Sequence, residues 1–502
     1  QVVDTGVDET SCFFIDEDGE VVERGYYFDE LFIGTSSTFA SFNAGNFPYD
    51  LTRRKIVQYI RLVREDSTTQ YTSFYTTNGG GPYPWMDPYG FGVDTPDGHG
   101  THTAGSAAGA SLTTPAEPVT CSGTDELGCL GECLNTTYVD ALVNGGSFLG
   151  DFATMCPQFD CDGYGDHVAC LSDDVATTLT ENGGIAQGAQ LAIFDVSIDG
   201  ISIEANVANN GLWTATDGTG CMLHSNSWAS DSYCTVDDYC VLYDKYMYEN
   251  PDHLLLFAAG NDGDMKYDPT RSGICTIGSP ALAKNVLTVG ASSSGATRLS
   301  LTATDGDLIS STGDETADID VVAYFSSYGP TSDYRIKPDV VAPGDQVLSP
   351  SSDGTDAGTY SCQVVEMFGT SMSTPIVAGA SAMIRQYFKD ETFYVADLTA
   401  RGLCDASSAY ICEAFSPYAA TIKAMLINSA DLMGGEAEPD GLRGFGRVHL
   451  ETVLPLEGSG DSVLFVADAA DTSIGENAHN EYTVQLTSGT GLDLRVTLAW
   501  ID

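Results

Sequence analysis

The chain has 502 residues, 42% of them hydrophobic, with 71 Asp and Glu against 20 Lys and Arg and a formal net charge of −51 at pH 7. That is room for one large domain plus a second, or three of ordinary size, with ample material for a core. Nucleic acid and acidic lipid surfaces are disfavoured as partners because both would be repelled, and no apolar run reaches the roughly 18 residues of a membrane span.

Fourteen Cys without a clear zinc spacing point to disulfides and an oxidising compartment. Six of them (Cys121, Cys129, Cys133, Cys156, Cys161, Cys170) crowd one segment, and Cys221, Cys234 and Cys240 form a second group. Asn135-Thr136-Thr137 is a glycosylation acceptor pattern consistent with secretion. With no signal peptide and no initiating Met, the chain reads as a piece cut from a longer secreted precursor. The excess carboxylate suits Ca²⁺ binding or a saline environment, and composition does not separate the two.

In chain order, Val2-Val3-Asp4-Thr5-Gly6 reads as the end of a buried strand opening into a loop. In open parallel sheets functional groups gather beyond the carboxyl ends of strands, although a lone Asp is commonly a cap or turn former. Lys55 to Val63 is strand-like, and a loop rich in Gly, Pro and Tyr runs near Asn78 to Tyr89. In Asp97-Gly98-His99-Gly100-Thr101-His102-Thr103-Ala104-Gly105, a His flanked by glycines opens a helix of small residues, which can lie close to its neighbours. His99 and His102, three apart, could be metal ligands on one face. No His-Glu-x-x-His arrangement accompanies them, so general base is the better reading of His99 and a satisfied structural histidine that of His102.

Residues 111–182 read as a disulfide-stapled insertion. Buried strands are expected at Leu191 to Val196, Leu223 to Ala229, Leu254 to Ala259 and Asn285 to Ala291, and their alternation with helical patterns argues for a parallel α/β sheet. Asn261 follows the third of these, as a turn residue or as an amide donor aimed at an oxyanion. Phe325 to Pro330 and Lys337 to Gly344 read as loop-bounded segments. Gly369-Thr370-Ser371-Met372-Ser373-Thr374-Pro375 opens a buried helix, with Pro375 suiting a first turn. Ser371 there is either an N-cap or a nucleophile whose developing charges meet unpaired backbone N–H groups. A further helix is expected over Thr421 to Met433. From about Leu456, Ser462 to Val466 and Glu481 to Leu486 alternate as half-buried strands, and Leu494 to Trp500 is strand-like. The expected division is 1–455 and 456–502, the second being the start of an all-β module.

Asp4, His99 and Ser371 supply the three groups that serine hydrolysis requires. A serine is too weak an acid to attack unaided, an imidazole must take its proton, and a carboxylate must hold the second ring nitrogen. The Ser371 backbone N–H and the Asn261 amide are candidate oxyanion donors. With its four motifs in this order, Asp4-Thr5-Gly6, His99 to Gly105, Ala258-Ala259-Gly260-Asn261 and Gly369 to Pro375, the chain resembles the subtilisin family of serine proteases. A Gly-x-Ser-x-Gly elbow is absent, because position 373 is Ser, so the α/β-hydrolases are out.

The resemblance implies a three-layer α/β/α fold around a parallel sheet and an endopeptidase working through an acyl-enzyme. Ser227, Trp228, Ala229, Ala258, Ala259 and Gly260 would be the walls of the substrate pocket, and Val196 to Gly200 would pair with extended substrate. It implies no cofactor for the chemistry, allows structural calcium without naming ligands, and implies a pro-segment in the precursor, protein or peptide substrates and an extracellular location. Asp4 to Phe14, Phe325 to Pro330 and Leu494 to Trp500 look like subtilases with a C-terminal jelly-roll β-sandwich. The rival from another class is a non-catalytic binding or adhesion protein on the same scaffold, with the Cys-rich insertion as its working surface.

Overall fold

The computed structural model describes residues 1–9, 11, 13–14, 24–28, 49–63, 94, 98–110, 120–121, 167–168, 183–195, 219–229, 233–264, 275–294, 320–352, 364–405, 408–434, 439–456, 462–468, 481 and 494–502. Its strands are β1 (Val2–Asp4), β2 (Arg24–Phe28), β3 (Ile56–Val63), β4 (Thr120–Cys121), β5 (His167–Val168), β6 (Leu191–Asp195), β7 (Leu223–Asn226), β8 (Leu254–Ala258), β9 (Leu287–Ser293), β10 (Val340–Asp345), β11 (Val347–Pro350) and β12 (Val364–Met367). Eight of them form one sheet in the order β10-β9-β8-β7-β1-β6-β3-β2, with every pairing parallel. The pairs β4–β5 and β11–β12 are separate antiparallel ladders. Every residue of β6, β8 and β9 is buried, on both faces of the pleat, as in a parallel sheet covered on both sides.

The helices are α1 (His99–Ala108), α2 (Asp238–Glu249), α3 (Thr370–Lys389), α4 (Tyr394–Ala400) and α5 (Ala419–Ser429). α3 packs on α1 and across β7 to β10, and α5 packs on α3 and β8. Small residues make the α1–α3 approach close: a Cβ on Gly379 would stand 2.7 Å from the Ala107 carbonyl oxygen.

Three segments go beyond or depart from the sequence expectation. Lys337 to Gly344, read there only as a loop-bounded segment, contains β10 despite Pro343. The strand lies at the sheet edge and its register shifts between Pro343 and Asp345, the setting in which a missing N–H is tolerated. The helix expected over Thr421 to Met433 runs from Ala419 to Ser429 instead, because Asp431 leaves it to bridge Arg447. The described residues 462–468 and 494–502 contain no paired strand. Leu494, Val496, Leu498 and Trp500 are exposed, although Val466 joins the main hydrophobic cluster. The stretches Asn78 to Tyr89, Val196 to Gly200 and Tyr482 to Leu486, and all but four residues of the Cys-rich insertion, lie outside the described residues. α2 is capped by Asp237, which accepts the Cys240 N–H.

Cys234 bridges Cys275, Cys404 bridges Cys412, and Cys221 and Cys240 stand outside these bonds. Lys55, ahead of β3, places its ammonium against the carbonyl oxygens of Ala108 (2.7 Å), Ala189 (3.0 Å) and Gln187. It thus closes the C-terminal end of α1, where a cation is favoured, while burial pulls its pKa down to about 8.

His224 in β7 and His253 ahead of β8 share a 2.9 Å hydrogen bond in the core. Burial holds the His224 pKa well below the ordinary value and that of His253 down to about 4. A histidine lowered in the folded state contributes stability above its unfolded pKa near 6.5 and loses it as the pH falls toward the folded value. The unfolding midpoint in urea is therefore expected to fall between pH 6.5 and 4 more steeply in the parent than in His253→Phe; equal slopes would refute this.

Candidate active site

Asp4 is the last residue of β1, at the carboxyl edge of the sheet and between β6 and β7. Its Oδ1 accepts the Thr5 N–H at 2.8 Å and stands 2.6 Å from His99 Nδ1, while Thr103 Oγ1 donates to Oδ2 at 3.1 Å. His99 is the first residue of α1, following Gly98 in the left-handed region (φ 67°). Its side chain keeps 28% exposure, so the ring edge away from Asp4 can meet a substrate.

His102, one turn on, is fully buried and set against the Val347 carbonyl oxygen through Nε2 at 2.9 Å. Burial lowers its pKa to about 4, so it is neutral and donates there. The two rings face different partners, Asp4 and Val347, rather than a shared ion. Among the described residues no group of three His, Cys, Asp or Glu side chains forms a metal centre.

Ser371 is the second residue of α3, behind Gly369, whose φ of 145° and ψ of 160° lie in a region essentially limited to glycine. The Ser371 N–H is one of the first four of the helix and has no partner within it. Pro375 lies inside α3, not in its first turn as the sequence implied. Its missing N–H leaves the Ser371 carbonyl without the usual i to i−4 bond, and the Ser227 hydroxyl donates to that carbonyl at 2.8 Å instead. The Ser371 hydroxyl in turn donates to the Ser227 carbonyl at 3.3 Å. Ser227 therefore anchors the first turn of α3.

α1 and α3 both begin at the carboxyl edge of the sheet, His99 against Asp4 and Thr370 against Asn261, so the two helices run the same way. Ala107 and Gly379 touch, and each is eight residues past His99 and Ser371 respectively. His99 and Ser371 thus both stand at the starts of neighbouring helices, at one edge of the sheet.

Asn261 follows β8. Its Oδ1 accepts from the Thr370 N–H at 2.9 Å and from Thr370 Oγ1 at 3.0 Å. A backbone N–H can only donate, so Asn261 must turn its oxygen inward and its NH₂ outward. A Cβ on Gly369 would stand 3.3 Å from that nitrogen. The Ser371 backbone nitrogen lies close to the same point, 3.6 Å from it. Asn261→Ala is expected to lower kcat about 10²- to 10³-fold with KM little changed, and steady-state peptide hydrolysis at parental kcat would refute it.

Of the other expected residues, Ala258 and Ala259 are buried at the end of β8, and Gly260 donates its N–H to Thr370 Oγ1 at 3.1 Å. Trp228 packs edge-on against Phe257 at 5.2 Å, while Ala229 is exposed. The sequence reading missed Asp94, a fully buried carboxyl that accepts from Thr5 Oγ1 at 2.6 Å and from the Thr101 N–H at 2.5 Å.

A family model described as the subtilase family matches residues 154–446, more than half of the chain. That stretch holds Asn261 and Ser371; Asp4 and His99 precede it and reach the same edge of the sheet through β1 and α1. The serine protease/ABC transporter B family protein tagA of Dictyostelium discoideum is 23% identical over 416 residues, covering 68% of this chain and 23% of that protein. Its relative tagD is 26% identical over 348 residues, covering 55% and 18%. The serine protease AprX of Bacillus subtilis (strain 168) is 36% identical over 141 residues, covering 27% and 26%. The chain thus spans about a quarter or less of the length of each of these three relatives.

Proposed function

The chain belongs to the subtilase family, and from that premise we propose that it is a serine endopeptidase whose nucleophile is Ser371, whose general base is His99 and whose orienting carboxylate is Asp4. The observation that carries this reading is the 2.6 Å contact between His99 Nδ1 and Asp4 Oδ1, at the same edge of the sheet at which the helix of Ser371 begins. Asp4 holds the proton on Nδ1, which keeps Nε2 unprotonated and able to take the Ser371 hydroxyl proton as Oγ attacks the scissile carbonyl. The Ser371 N–H and Asn261 NH₂ receive the oxyanion. His99 then protonates the leaving amine, and water releases the acyl group by the reverse sequence. A catalytic hydrogen bond that is loose without substrate is compatible with this scheme, since such bonds tighten in the Michaelis complex.

Ser227 to Ala229 and Ala258 to Gly260 would flank the substrate residue before the scissile bond. No cofactor enters the scheme, and structural calcium is not required by it. The two disulfides among the described residues fit an extracellular site of action, with a pro-segment in the precursor and residues 456–502 as the start of a β-sandwich module. Among the described residues no helix is long and apolar enough to cross a membrane.

The test is a fluorophosphonate serine probe on the full-length protein beside Ser371→Ala and His99→Ala. Label on the parent alone is the expected result. A folded parent that takes no label would transfer the chain to the non-catalytic scaffold reading.

A further inference from the structure

α1 starts without a cap of its own. Gly98 has no side chain to offer, and the helix holds no acidic residue in its first turn. Its leading N–H groups are taken from outside: Gly100 donates to Thr5 Oγ1 at 3.0 Å, and Thr101 donates to Asp94 Oδ2 at 2.5 Å. The Thr5 hydroxyl passes its own proton to Asp94 Oδ1 at 2.6 Å. The Thr5 N–H donates to Asp4 Oδ1, the oxygen that faces His99. Thr101 Oγ1 accepts the Asp8 N–H at 2.9 Å and donates to Asp94 in turn. One buried carboxyl therefore grips both the residue after Asp4 and the turn that begins with His99.

We propose that Asp94 is a positioning residue of the catalytic machinery, which fixes the mutual orientation of Asp4 and His99 through Thr5 and the first turn of α1. A helix cap alone explains only one of its two oxygens. A Ser or Asn could accept the Thr101 N–H without burying a charge, whereas a carboxyl that accepts from both Thr5 and Thr101 ties β1 to α1. Keeping it there is costly: burial, against the pull of its hydrogen bonds, pushes the Asp94 pKa up to about 7. Without it the Thr5 hydroxyl is released to turn toward Asp4 Oδ1, 3.4 Å away. A further donor there makes Asp4 a poorer acceptor for the His99 proton.

The proposal rests on the triad reading, and its test separates the two. In the full-length protein, Asp94→Asn keeps an oxygen for the Thr101 N–H but turns an NH₂ toward Thr5. It is expected to lower kcat roughly ten- to hundredfold, the scale of a small misplacement of reacting groups. KM should stay within about twofold, and the low-field proton NMR resonance of the His99 Nδ1–H should move upfield. Thr5→Val should reproduce the loss and Thr5→Ser restore it, and Thr5→Val with Asp94→Asn should cost no more than the larger single change.

A parental kcat with an unmoved resonance in Asp94→Asn overturns the proposal, whatever the melting temperature does, and so do additive losses in the double variant. If Asp94→Asn fails to fold, equal kcat in Thr5→Val and Thr5→Ser overturns it. A parent that takes no fluorophosphonate label sinks the triad reading itself, whereas a labelled parent with an indifferent Asp94→Asn sinks only the role of Asp94.

Discussion

Replacing Asp4 by Ala is expected to lower kcat on a peptide substrate by about 10⁴-fold, with a much smaller change in KM, because the loss falls on a group that acts in the transition state. Two contributions disappear together: the acceptor that keeps the proton on His99 Nδ1, and the negative charge that stabilises the imidazolium. Asp4→Asn separates them. In a triad whose carboxylate is held only by the histidine, an amide can turn its NH₂ toward the ring and trap the wrong tautomer. Here the Thr5 N–H donates to the same Oδ1 that faces His99, so the position demands an oxygen. The NH₂ is sent to the Oδ2 side, where Thr103 Oγ1 can accept from it and direct its own proton to the Gly100 carbonyl, 3.0 Å away. The tautomer survives and only the charge is lost. Asp4→Asn is therefore expected to keep roughly tenfold or more activity over Asp4→Ala, measured as kcat at saturating peptide. An Asn variant as inactive as the Ala variant would show that the Thr5 N–H does not direct the amide.

What could be seen in the sequence follows from how local each signal is. β1, α1, β8 and the start of α3 each carry their candidate residue inside a short stretch of small or apolar residues; singly, Asp4, Asn261 and Ser371 read as cap or turn residues, and it is their combination with His99 in one order that marks them, while the parallel sheet follows from strands alternating with helical patterns. Asp94 did not stand out, because an Asp five residues ahead of a helix resembles any loop acid. Its importance lies in Thr5, 89 residues away. Ser227 was marked as a pocket wall, while its hydrogen bond to the Ser371 carbonyl depends on the N–H that Pro375 lacks, a coincidence across 144 residues. β10 was hidden by Pro338, Pro343 and Gly344, which break strands in the middle of a sheet and are accommodated at its edge. α2 was missed because its buried face is only Cys240, Tyr243 and Met247, against a largely polar remainder.

Disrupting the ion cluster beneath the sheet is expected to give the largest loss of stability outside the active site. Asp339, just ahead of β10, receives Lys337 Nζ at 2.6 Å on Oδ2 and Lys423 Nζ of α5 at 3.1 Å on Oδ1, with the Thr288 N–H of β9 at 2.8 Å. Lys337 also donates to the Val286 carbonyl at 2.9 Å and to Thr288 Oγ1 at 2.8 Å, so β9, β10 and α5 are joined at one buried point. Burial pushes the Asp339 carboxyl up, but Lys337 and Lys423 together pull it below its ordinary value, while burial pulls Lys337 down to about 8. Asp339→Asn leaves two cations facing an amide in a dry site and should cost about 3–5 kcal/mol, the scale of stranding one partner of a buried pair. The pH dependence identifies the cause. A lysine whose pKa is lower folded than unfolded binds fewer protons in the native state, so stability rises with pH from the folded value up to the unfolded one near 10.4. The Asn variant, with Lys337 lowered further, should regain part of its urea midpoint between about pH 7 and 10, more than the parent does. Adding Lys337→Met to Asp339→Asn should recover stability at pH 7 and flatten that recovery, because the stranded charge is gone. An Asp339→Asn midpoint equal to the parent's at pH 7, or a loss unchanged by pH and by Lys337→Met, would mean that the cluster holds its strands by shape rather than by charge.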